Sequence, residues 1–338
     1  MTRHGRAFRP AWWLRGAHRQ SVLPSLPTRR PFVARRARPM LAAAREWLLD
    51  CGDGVRLQAF HSAPPQGGAA PPDGPTVVVL LHGWEGSAES LYILSLAQSL
   101  FAQGYDVLRL NLRDHGDTHH LNLELFHSCR LPEVVGAVRA VQQRLPGHAL
   151  ALAGFSLGGN FMLRVAADAQ SEGLRVARAV AVSPLLDPAS TLDAMEDGFP
   201  LYHDYFVRKW TRSLQRKQAA WPGHYDFAPL VRSRDLRRMT EDLVLRFAGF
   251  PDLRSYLAGY AITGPRLARL KVPSTVLAAL DDPIIPAKDL ARLAPSPALR
   301  VVTTAHGGHC GFLETLHAPP WVDPFVLAEL AAPRPEAA

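Results

Sequence analysis

Between residues 76 and 182 the chain alternates short apolar runs with longer segments whose apolar positions recur at helical spacing. Strands are predicted at 76–81, 106–110, 149–153 and 178–182, with helices at 90–103, 132–144 and 159–167. The strand runs are apolar without polar alternation, as parallel strands covered on both faces are, and the helices supply the crossovers. The expectation is an α/β fold with a doubly wound, mostly parallel sheet. Runs at 275–280 and 299–303 extend it. Upstream, 46–50 and 55–60 flank Cys51-Gly52-Asp53-Gly54, whose Asp-Gly pair predicts a hairpin, so these read as two antiparallel edge strands. Residues 64–75, rich in Pro, Gly and Ala, read as a surface loop.

The alternation stops between about 187 and 264. A mostly helical stretch replaces it, carrying Tyr202, Tyr205, Phe206, Trp210, Trp221, Phe247, Phe250, Tyr256 and Tyr260. An insertion placed there would lie over the carboxyl ends of the strands as a lid. Periodicity alone does not separate its own core from a substrate wall.

Candidate chemistry collects just beyond strand ends, where ligands bind in such sheets. Gly154-Phe155-Ser156-Leu157-Gly158 joins a strand to a helix, the context in which a sharp turn holds a serine hydroxyl clear of the backbone. The competing role for Ser156 is a helix N-cap. Asp281-Asp282-Pro283 and His306-Gly307-Gly308-His309 follow the next two strands, so the order is nucleophile, acid, base. Gly307, Gly308 and Gly311 give the loop freedom to carry His309 across, which makes His309 the base and His306 a surface residue. Asp282 is the chosen acid, with Asp281 as competitor. His82-Gly83-Trp84-Glu85-Gly86 fits an oxyanion loop with the Trp84 and Leu157 amides as donors, and side-chain identity at position 84 is then secondary. Asp114-His115-Gly116-Asp117-Thr118-His119-His120 is dense in metal-ligating types, but adjacent histidines splay apart; a hydrogen-bonded rim loop without metal is expected. No cofactor is expected.

The formal net charge of +8 would invite a nucleic-acid reading. It belongs to one segment: residues 1–45 hold 11 arginines, including Arg3, Arg6 and Arg29, with no lysine and no acid, which leaves the remainder net acidic. The arm is read as a wrapping segment with solvated arginines, and residues 46–338 as one domain with a lid at 187–264. No nucleic-acid partner is expected. Cys51, Cys129 and Cys310 are too few for a disulfide framework, which suits a reducing cytoplasm. Cys310 adjoins His309 but is not taken as the nucleophile, since consecutive loop side chains rarely face one another. No apolar run approaches the ~20 residues of a membrane span. A cytoplasmic monomer is expected.

With these residues in place the chain resembles α/β-hydrolase fold proteins, and more narrowly their YheT-like branch, related to abhydrolase-domain proteins 1, 2 and 3. The resemblance is carried by Arg9-Pro10-Ala11-Trp12-Trp13-Leu14, His18-Arg19-Gln20, His82 to Ser87, Asn111 to Gly116, Gly154 to Asn160, Asp281 to Pro283 and His306 to His309. It implies a Ser156, Asp282, His309 triad, hydrolysis of short- to medium-chain acyl esters or acylglycerols through an acyl-enzyme, and an arm retained in the mature protein. Ser21 stands where the family often has Thr. Acyl transfer to another acceptor, or a catalytically silent ligand-binding role, are the rival readings.

Overall fold

The computed structural model describes residues 7–65 and 67–332. Arg3 and Arg6 of the basic arm lie outside the described residues, as do position 66 and residues 333–338. The strands are β1 (Ala44–Asp50), β2 (Arg56–Ser62), β3 (Thr76–Leu81), β4 (Asp106–Leu110), β5 (Ala149–Phe155), β6 (Val176–Val182), β7 (Ser274–Ala279) and β8 (Leu299–Thr304). They form one sheet in the order β1-β2-β4-β3-β5-β6-β7-β8. Strands β4 to β8 and β3 pair in parallel, while β1–β2 and β2–β4 are antiparallel. The hairpin is present, but of its two strands β1 alone is at an edge of the sheet: β2 is hydrogen-bonded on its other side to β4, with Ala59 opposite Leu110.

Side chains alternate across the pleat, so the apolar run of β3 serves two cores at once. Val77, Val79 and Leu81 join the cluster formed with α4 (Leu131–Arg144) and α5 (Leu157–Asp168). Val78 and Leu80 join the opposite cluster, formed with α2 (Arg30–Ala42), α3 (Leu91–Phe101) and α11 (Val322–Leu330). Helices on both faces make this a doubly wound α/β fold.

Before β1 the chain forms α1 (Ala17–Val22) and then α2, which packs on α3. Pro31 occupies the first turn of α2, where its missing N–H costs nothing. Not all arginines here are solvated. Arg29 is buried and donates to the carbonyls of Pro24, Leu316 and Ala318, tying the amino-terminal segment to the 316–318 stretch. Between β6 and β7 lie α6 (Pro188–Asp197), α7 (Pro200–Ala220), α8 (Ala228–Arg232), α9 (Leu236–Phe247) and α10 (Leu253–Tyr260). Asp187, Asp235 and Asp252 cap α6, α9 and α10 by accepting first-turn amides. Among the described residues no helix is long and apolar enough to cross a membrane.

Candidate active site

Ser156 sits at the junction of β5 and α5 with φ 52° and ψ −121°, a conformation that a non-glycine residue holds only when its surroundings enforce it. The Ser156 amide donates to Val182 O at 2.9 Å, and its carbonyl accepts from Asn160 at 3.0 Å and Leu185 at 3.2 Å. Glycine is required on both sides for closeness of approach. A Cβ on Gly154 would lie 2.4 Å from Gly158 O, and one on Gly158 would lie 2.3 Å from Leu81 O. Although Ser156 occupies the N-cap position of α5, its side chain makes no capping bond. Its Oγ lies 3.0 Å from His309 Nε2 instead.

The other ring nitrogen of His309, Nδ1, is 2.9 Å from Asp282 Oδ2. Asp282 follows β7, and its Oδ1 accepts the amides of Ile284 and Ile285 at 2.9 and 3.0 Å, which orients the carboxylate without using the oxygen that faces His309. Burial opposes a charged imidazole here, but the charge and hydrogen bond of Asp282 together with the neighbouring Cys310 outweigh it and hold His309 well above the ordinary histidine value. Asp281 takes a different part. Its Oδ1 accepts the Gly308 amide at 2.9 Å, so it braces the loop that carries His309. His306 is 3.7 Å from Asp281 Oδ2. Cys310 Sγ is 3.9 Å from Val182 O, and the Cys310 amide donates to Ser183.

The His82 to Gly86 loop abuts the elbow: a Cβ on Gly83 would lie 3.2 Å from Ser156 Cβ. Gly83 O accepts from His82 Nδ1 at 2.7 Å and from the Gly86 amide at 3.0 Å. A trans peptide sets N–H opposite C=O, so anchoring that carbonyl aims the Trp84 N–H the other way. Among the described residues neither the Trp84 nor the Leu157 amide donates to a protein acceptor. The His82 tautomer follows from its partners, because Nε2 accepts the Leu112 amide at 3.3 Å while Nδ1 donates. Burial keeps its pKa well below the ordinary value. Side-chain identity at position 84 is not secondary, since the indole stacks on Phe206 at 5.1 Å and meets Trp210 edge-on at 5.3 Å.

The histidine-rich rim loop is dispersed among separate partners. His115 Nδ1 is 2.7 Å from Arg113 O, His119 Nε2 is 2.9 Å from Ser213 Oγ, and His120 is exposed. Burial pushes His115 down to about 4 and His119 to about 3. Asp114 pairs instead with Lys217 of α7 at 2.8 Å, and Lys217 also donates to the carbonyls of Asn122 and Glu124. Burial drives Asp114 up and Lys217 down, opposed by their mutual attraction. Among the described residues no group of three or more His, Cys, Asp or Glu side chains could hold a metal ion. Lys217 is invisible to sequence reading, because a lysine in a charged helix reads as solvated.

The aromatics of the helical insertion now sort by contact. Trp210, Tyr256 and Tyr260 line a cavity of about 80 Å³ together with Trp84, Leu157 and Leu243. Phe247 packs edge-on against Tyr225 and Phe227, and Trp221 donates to His119 O. Asn160, fully buried, ties α5 to the insertion by donating to Leu185 O and Tyr260 O.

Residues 76–316 match the family model described as the alpha/beta hydrolase fold. The chain belongs to that family. Among curated proteins, this α/β hydrolase is similar to Phospholipase ABHD3 of Mus musculus, 23% identical over 241 residues that make up 70% of this chain and 58% of the relative. The Homo sapiens protein of that name is 22% identical over the same shares. The chain thus spans 58% of the length of these relatives. Among solved structures it is similar to the Pyrococcus furiosus esterase Pf2001 (TM-score 0.53, 14% identity, covering 85% of this chain and 91% of that one). It is also similar to a bacterial membrane phospholipase A described as a virulence factor (TM-score 0.56, 16% identity, covering 91% of each chain). The likeness to these solved structures shows the fold.

Proposed function

We propose that this protein is a serine hydrolase of carboxylic esters, acting on short- to medium-chain acyl esters or acylglycerols through an acyl-enzyme on Ser156. The observation that carries the reading is the continuous contact from Ser156 Oγ to His309 Nε2 at 3.0 Å and from His309 Nδ1 to Asp282 Oδ2 at 2.9 Å. In the proposed reaction His309 Nε2 takes the hydroxyl proton as Ser156 Oγ attacks the ester carbonyl. The oxyanion is stabilised by the Trp84 and Leu157 amides, which need no reorganisation to meet it. Collapse breaks the bond to the alcohol, which leaves with the proton held on His309. Water, deprotonated by the same nitrogen, then releases the acid and restores the serine.

Covalent labelling by a fluorophosphonate tests the reading. The expected result is stoichiometric modification of Ser156 in the folded protein; no labelling would remove it.

The cavity beside Leu157 and Trp84 suits the acyl chain, because its wall is mostly apolar and aromatic. Each CH₂ it buries is worth about 0.8 kcal/mol, so kcat/KM is expected to rise up to roughly fourfold per CH₂ from acetyl until the cavity is full. A series of 4-nitrophenyl esters measures this, and a flat profile or an acetyl preference would exclude the cavity as the acyl site.

A further inference from the structure

The loop that carries His309 cannot hold its shape by itself. Gly307, Gly308, Cys310 and Phe312 all have positive φ, at 143°, 52°, 63° and 47°, and two of these are residues with a Cβ. Such a loop persists where outside partners over-determine it. Its amides find them. Gly308 donates to Asp281, Cys310 to Ser183, and Gly311 and Phe312 back to Gly307 O. Two further amides go to the amino-terminal segment: His309 donates to Ser21 Oγ and Leu313 to Gln20 Oε1, each at 2.8 Å.

The fit is close on both sides of the base. A Cβ on Gly308 would lie 2.4 Å from Ala17 O, and one on Gly311 would lie 2.0 Å from Gln20 O. Gly311 therefore serves the approach of α1 rather than loop freedom. Gln20, fully buried, also donates through Nε2 to Leu313 O at 2.8 Å and Leu14 O at 3.0 Å. The Ser21 hydroxyl is fixed in turn, because its proton goes to Ala17 O at 2.8 Å, one helical turn back, which leaves a lone pair for His309. The same face of the helix also meets the insertion: His18 Nδ1 is 2.9 Å from Tyr202 Oη, and its ring is 4.9 Å from that of Phe199.

We propose that α1 is part of the active-site architecture and that Ser21 is a positioning residue for His309. Its hydroxyl sets the backbone of the base so that the imidazole spans Asp282 and Ser156. The proposal rests on the hydrolase reading above for its kinetic consequence, but the positioning itself is readable without substrate. Displacing a base by a fraction of an ångström costs rate through lost alignment, and it leaves the acyl cavity, and hence substrate binding, unaltered.

The test uses the full chain with Ser21→Ala and Ser21→Thr. Three quantities are measured: kcat and KM on a chromogenic ester, the thermal midpoint, and the downfield proton resonance of His309 Nδ1–H bonded to Asp282. For Ser21→Ala the expected result is a kcat lower by about 10- to 100-fold, a KM within about twofold, and a weakened or shifted resonance in folded protein. Ser21→Thr, which keeps a hydroxyl able to bond the carbonyl four residues back, is expected to restore rate and resonance. Wild-type kcat and resonance in Ser21→Ala would overturn the proposal. So would an Ala variant that melts early while its folded fraction reacts with fluorophosphonate at the wild-type rate, since α1 would then be a structural support only. A wild type that turns over no ester would reject the hydrolase reading, and a resonance lost in Ser21→Ala and regained in Ser21→Thr would still support the positioning role.

Discussion

Ser156→Ala is expected to lower kcat on a short-chain chromogenic ester by at least about 10⁴-fold, while leaving the thermal midpoint within about 2 °C of wild type. The size of the kinetic effect follows from the nucleophile being lost, with only the oxyanion donors and the binding cavity left to act on water. The small effect on stability follows from what the hydroxyl does not do. It caps no amide of α5, and its hydrogen-bond partner is His309. Alanine inherits the same φ of 52°, so backbone strain is nearly unchanged. Kinetics of the purified variant with a melting curve check both parts. Residual turnover above about 1% of wild type would point to another nucleophile, with Cys310 the first to substitute next.

The two neighbouring aspartates are expected to separate sharply. Asp282→Asn should cost about 10⁴-fold in kcat, since an amide facing His309 Nδ1 presents the wrong tautomer to Ser156. Asp281→Asn should cost less than about tenfold, because its Oδ1 accepts a backbone amide from Gly308, and an asparagine oxygen can do the same. The pH profile should move as well. The base works only when neutral, so kcat/KM rises with pH through the pKa of His309, which in the native site lies above the ordinary value of about 6.5. Burial lowers that pKa, and the Asp282 charge, with a smaller contribution from Cys310, raises it; removing the Asp282 charge takes away the largest of the raising effects. The acid limb of the residual activity is therefore expected at lower pH in Asp282→Asn and unmoved in Asp281→Asn. Equal losses in the two variants would mean that Asp282 does not orient the base.

The parallel sheet was legible because its strands are short and mostly apolar without regular polar alternation, a pattern that few other arrangements accommodate. The elbow was legible for a related reason. Gly154 and Gly158 stand where backbones approach within limits that no Cβ allows, and that constraint is written in residue type. The choice between Asp281 and Asp282 had only their position relative to Pro283 to go on, since both follow β7. What differs between them is the direction each carboxylate faces, which depends on the His309 loop meeting them from another strand.

Residue order by itself determined the class of sheet, the succession of Ser156, Asp282 and His309 along the chain, and the place of the helical insertion, because each is carried by local periodicity or by a glycine requirement. Tertiary structure alone decided which aromatics of that insertion line the cavity, why Lys217 is buried beside Asp114, and that β2 is internal. It also decided that Ser21 meets the backbone of a histidine 288 residues away. A hydrogen bond across that separation leaves no period and no spacing in the chain; it exists only once the sheet has brought both ends of the sequence to the same edge of the site.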